Sequence, residues 1–116
     1  MPLVPMGRRT TLGRMTDVVV TDDPAQSRYE ARIDGELAGI AEYHLTKASI
    51  VFTHTEVFDA FEGHGVGGAL ARAALDDVRT KGERDVVPVC PFIHGWIDDH
   101  ADYADLVRRH GEDDLR

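Results

Sequence analysis

The chain has a single cysteine, Cys90, among its 116 residues. An intrachain disulfide is therefore excluded, and one lone thiol suits a reducing compartment, so the expected location is cytoplasmic. It also lacks any run near the roughly 18 consecutive apolar residues that span a bilayer, and no membrane partner is expected. Residues 1–16 contain no acid and no apolar stretch of the kind that drives secretion. They hold Arg8, Arg9 and Arg14 and read as a flexible basic leader. The net charge of −8 includes those three cations, which leaves −11 on the rest of the chain. An acidic body of that size repels a phosphate backbone, which argues against a nucleic-acid partner, and attracts cations such as amines.

What is present is ordinary globular composition, 42% hydrophobic and 29% charged, at a length that builds one core. The domain is expected over residues 17–110, with a polar tail over 111–116. Val18 to Thr21 reads as a first strand, ended by Asp22-Asp23-Pro24. Arg28 to Ile33 alternates polar and apolar with period two. Asp34-Gly35 is then a strong hairpin signal, with Glu36 to Leu45 as the return strand. Ser49 to Val57 is rich in β-branched and aromatic residues and makes a fourth strand. The period changes at Gly65, where Val66, Leu70, Ala73, Ala74 and Val78 recur at helical spacing as far as Lys81-Gly82. Asp85 to Val89 follows as a strand in which Pro88 suggests an edge or a bulge. Helices are expected over His94–Asp99 and Ala101–His110. The order is β-β-β-β-α-β-α, and the strand–helix–strand unit should make two parallel strands in an otherwise antiparallel sheet.

Gly63, Gly65 and Gly68 fit G-x-G-x-x-G, but the context of a dinucleotide fold is missing. Four strands precede the run, five residues separate it from the last of them, and too little chain follows Val89 to complete the fold. No Gly-Lys-Ser/Thr makes a Walker loop. What remains is a helix start whose backbone N–H groups can approach a pyrophosphate, with Arg72 placed to assist. A loop that needs positive φ for its turn alone is the simpler alternative.

The stretches His54-Thr55-Glu56-Val57, Phe61-Glu62-Gly63-His64-Gly65-Val66-Gly67, Pro88-Val89-Cys90-Pro91-Phe92 and His100 to Val107 together resemble the GCN5-related N-acetyltransferase-like (GNAT) family. The similarity is to its short, single-domain branch and covers roughly residues 17–108. The resemblance implies an α/β (α+β) fold, a mixed, mostly antiparallel sheet with a βαβ acetyl-CoA-binding unit and C-terminal helices. It implies acetyl-CoA as cosubstrate, held in the gap between two parallel strands, and an amine of a protein or small molecule as acceptor. Cofactor positions carried over are Thr55, Val57, Gly63, His64, Gly65, Val66, Gly67 and Gly68. Glu62 stands where the wider family usually has Gln or Arg. Cys90 matches a cysteine of the branch, which makes it a candidate nucleophile or proton donor, against the default of inert burial.

Transfer to an amine needs a base for the nucleophile and a proton for the leaving thiolate. Strict alternation puts His54 and Glu56 on one face with Ile50 and Phe52, where burial would move both toward neutral titration. They are the candidate general bases. Tyr103 is a candidate proton donor or a core aromatic, and Phe92 and Trp96 are core or cofactor contacts. Cys90, His94 and His100 have a spacing that could be read as a metal cluster, but Pro91 opposes the helix this needs, so no metal is expected. The rival to an enzyme is a non-catalytic CoA-binding interaction module, favoured by the small size.

Overall fold

The computed structural model describes residues 17–107, so the leader over 1–16, the tail over 111–116 and the end of the expected last helix lie outside it. Five strands, β1 (Val18–Asp23), β2 (Arg28–Ile33), β3 (Glu36–Leu45), β4 (Ser49–Val57) and β5 (Asp85–Pro88), form one sheet in chain order. The first three pairings are antiparallel and β4 pairs β5 in parallel. The connection between β4 and β5 is helix α1 (Val66–Lys81); α2 (Pro91–Asp98) and a 3-10 turn over Ala101–Leu106 follow. Asp34 and Gly35, at φ 52° and 85°, supply the two left-handed residues that a tight hairpin between twisted strands requires.

Several boundaries differ from the reading of the sequence: β1 runs on through Asp23, β5 stops at Pro88, and both later helical segments change. Pro91 does not delay α2 but opens it, because the first helical position needs no N–H and suits the fixed φ of proline. The segment after His100 is a short 3-10 turn rather than an α-helix, and Val107 bridges to Val86 of β5. Pro88 does lie on an edge strand, opposite Phe52. Among the described residues no helix is long and apolar enough to cross a membrane.

α1 lies across one face of the sheet and buries Val66, Leu70, Ala71, Ala74, Leu75 and Val78; Ala73 is only half-buried. Beneath it Tyr29, Tyr43 and Phe52 form a tilted aromatic trio with ring centroids 5.4–6.3 Å apart. Gly39 lets the helix start come close. A methyl group there would lie 2.7 Å from the Glu56 carbonyl oxygen and 2.9 Å from Val66 Cγ1. The end of β4 and the first turn of α1 are thus held together through a position without a side chain.

All three tyrosines of the chain are buried and each donates its hydroxyl to a carboxylate. Tyr29 reaches Asp77 (2.6 Å), Tyr43 reaches Asp22 (2.7 Å) and Tyr103 reaches Asp76 (2.7 Å). Burial foremost, then these hydrogen bonds, holds every phenol above its ordinary titration range. Unfolded tyrosine titrates near pH 10, so the contribution to stability is complete below that pH and is lost as pH rises beyond it. Tyrosinate absorbance should therefore stay flat past pH 10 and then rise in one cooperative step, together with loss of the circular-dichroism signal. A separate early rise for any one tyrosine would contradict the burial.

Candidate active site

The site is built where β4 and β5 part. Their ladder runs from Ser49 opposite Asp85 to Phe52 opposite Pro88, and ends with the Cys90 N–H donating to the Phe52 carbonyl at 2.8 Å. Beyond that point Val89 has left the sheet and the chain turns into α2, while β4 continues from Thr53 to Val57 without β5 beside it. The result is a V-shaped opening. Cys90, buried at 2% exposure as a structural cysteine would be, and the half-buried Thr55 meet at its apex, with Sγ 3.2 Å from Oγ1. Val89 and Phe92 stand exposed at its mouth.

After Val57 the Phe58 N–H ties back to the Ala38 carbonyl, and a 3-10 turn over Asp59–Phe61 leads into the glycine run. Gly63 and Gly65 take φ of 88° and 76°, conformations that L side chains rarely adopt. The first hydrogen bond of α1 runs from the Ala69 N–H to the Gly65 carbonyl. The N–H groups of Val66, Gly67 and Gly68 precede it, and no side chain caps them. Three donors and the positive end of the helix dipole therefore converge next to the open end of β4.

The four glycines serve two purposes. Methyl groups built on Gly63 or Gly65 would meet no other atom within 4 Å. On Gly67, by contrast, one would come within 2.9 Å of the Phe92 ring, and on Gly68 it would approach Trp96 at 3.8 Å. Gly67 is bare so that α2 can pack closely on α1. Val66 buries its side chain in the core and offers the site its backbone alone, whereas the His64 side chain is exposed.

His54 and Glu56 do not share a face with Ile50 and Phe52. Glu42 pairs with His54 but Tyr43 pairs with Phe52, so Thr53 is an extra residue, a β-bulge. One inserted residue reverses the alternation beyond it. Thr55 and Val57, opposite Ala41 and Gly39, thereby continue the α1 face of Phe52 and Tyr43. His54 and Glu56 sit opposite Glu42 and Ile40 on the face turned away from α1, about half exposed, with Nε2 and Oε1 3.6 Å apart. The burial expected to tune them is absent.

Other candidates are committed elsewhere. Arg72 does not reach the glycine run; its Nη1 donates to the Tyr103 hydroxyl at 3.2 Å and its guanidinium lies over the Trp96 ring. Tyr103 is buried with its proton on Asp76, so it is not poised over the opening. His100 stacks on Trp96 at 3.7 Å and His94 pairs with Asp98. Among the described residues no three His, Cys, Asp or Glu side chains are grouped to hold a metal. Two hollows of about 300 and 430 Å³ flank Asp22 and Tyr29 toward the C-terminal half of α1, away from the V. Neither is lined by a residue of the glycine run. Sequence reasoning named Thr55 among the cofactor positions but not its place on the α1 face, to which a hidden bulge turns it, and it missed Gly39, although a lone glycine inside a strand signals close approach.

The family model described as GCN5-related N-acetyl-transferase matches residues 28–106. Among solved structures, a ribosomal-protein-alanine N-acetyltransferase from Brucella melitensis biovar Abortus 2308 aligns with a TM-score of 0.50 and 19% identity, a likeness of fold. The alignment covers 71% of this chain and 61% of that one, so the chain spans less than two thirds of that enzyme. No curated protein matches.

Proposed function

Because the chain belongs to the GCN5-related N-acetyltransferase family, we propose that it moves an acetyl group from acetyl-CoA to an amine. The observation that carries this reading is the adjacency of the uncapped Val66–Gly68 amides to the gap between β4 and β5. The residues present fit the cosubstrate. Gly63 and Gly65 leave open the space that side chains would fill, and the amides of Val66, Gly67 and Gly68 would hold the diphosphate. The free edge of β4 ending at Val57 would pair with the pantetheine arm. When bound, acetyl-CoA supplies the activated thioester.

The two faces divide the work. The glycine run and Cys90 belong to the α1 side, and His54 and Glu56 to the opposite side, so the amine would enter from the face without α1. There Glu56, with His54 beside it, takes the proton from the attacking nitrogen. The acidic charge of the chain favours a cationic acceptor over an anionic one. Amino groups of a protein or of a small molecule both satisfy this chemistry.

The test joins binding to turnover. Titration calorimetry should give saturable heat with coenzyme A, and mixing the chain with acetyl-CoA and generic primary amines should release free thiol. No heat would overturn the cofactor reading. Heat without thiol release, from any amine, would leave a CoA-binding module in place of an enzyme.

A further inference from the structure

We propose that Thr55 is a positioning residue for Cys90, its hydroxyl donating to the sulfur so that the thiol faces the departing group at the apex of the V. The inference deepens the acetyl-transfer reading and rests on it. Three observations carry it. The bulge at Thr53 is what brings Thr55 to the α1 face; without it, His54 or a carboxylate would take that orientation. Cys90 is then fixed at both ends of the residue, its N–H on the Phe52 carbonyl at 2.8 Å and its Sγ 3.2 Å from Thr55 Oγ1. Lastly, the Tyr103 hydroxyl is bound to Asp76 and Arg72, so the protic groups described where the strands diverge are Cys90 and the Thr55 hydroxyl beside it.

The step balances as follows. The amine nitrogen bonds to the carbonyl carbon, the carbon–sulfur bond breaks, and its electron pair stays on the coenzyme A sulfur. The Cys90 S–H gives that sulfur a proton, and the Thr55 O–H stabilises the thiolate left behind. The proton lost by nitrogen passes to Glu56 and on to water, and Cys90 recovers its own from water.

Thr55→Val keeps the shape and removes the hydroxyl, whereas Thr55→Ser keeps the hydroxyl. A hydrogen bond to a charged group has a strength that predicts a fall in kcat of roughly tenfold or more for Thr55→Val. Thr55→Ser should stay within about twofold of the parent by the same measure. A second readout needs no turnover. The chain has one cysteine, so its infrared spectrum holds one S–H stretching band. That band should move in Thr55→Val and return in Thr55→Ser. An unmoved band in both variants, or a serine variant that behaves like the valine one, overturns the proposal. If coenzyme A fails to bind at all, the cofactor reading falls while the band still reports on the Thr55–Cys90 contact.

Discussion

Replacing Glu56 by Gln and His54 by Asn together is expected to cut acetyl transfer to an amine by about 100-fold, at the lower end of what a positioned base contributes. The affinity for coenzyme A should not change. The expectation follows from position. Both side chains stand on the face of β4 turned away from α1, a short distance past the point where β5 departs, and they are 3.6 Å apart. On the proposed reading an amine crossing the gap from that face would meet them before the thioester, and an ammonium ion cannot attack until its proton is removed. Because the two groups touch, single replacements should not add: either residue can relay a proton to the other or to water, so the double variant is the decisive one. Their half-exposed setting also means that replacement leaves the core intact, and thermal unfolding should shift by little. Thiol release measured at saturating acetyl-CoA checks the prediction. Turnover within a few-fold of the parent would remove both residues from the chemistry and leave water as the base.

Much of the architecture is legible in the residues, and the reasons are local. Asp34-Gly35 can make few other turns between alternating strands, and the bounds of β4 and α1 are marked by changes of period that the fold respects. The glycine run announces a helix start for the same reason: two of its members take backbone angles that other residues avoid. What is not legible is set at a distance. Thr53 is a good strand residue with nothing in its neighbours to mark a bulge, yet it reverses the facing of every side chain after it. That reversal exchanged Thr55 for His54 and Glu56 on the α1 face. Arg72 and Tyr103 chose each other, and Asp76, across two elements, which no window of sequence contains. The lack of a side chain at Gly67 is required by the Phe92 ring of α2, a reason that lies outside the glycine run. The backbone of the candidate site therefore follows from local rules, while the assignment of side chains to faces follows from one inserted residue.

Gly65→Val should lower affinity for coenzyme A by about 100-fold, while Gly82→Val, at the other end of the same helix, should leave it unchanged. The pair is matched. Gly65 precedes α1 at φ 76° and Gly82 follows it at φ 63°, so a side chain at either position pays the same left-handed strain, about 2 kcal/mol. Neither meets a wall, since a methyl group on Gly65 has no neighbour within 4 Å and one on Gly82 has only the Arg79 carbonyl at 3.9 Å. Stability loss should thus be alike, and differential scanning calorimetry can confirm it. The difference lies in what the strain disturbs. Relaxing Gly65 toward negative φ re-aims the N–H groups of Val66, Gly67 and Gly68, the three donors that no side chain caps. Losing good geometry to a charged diphosphate at even two of them accounts for a hundredfold, or about 2.7 kcal/mol. Relaxing Gly82 disturbs only the end of α1 before β5 begins. Equal coenzyme A affinity in the two variants, measured by titration calorimetry, would mean that the amides at the start of α1 are not what holds the diphosphate.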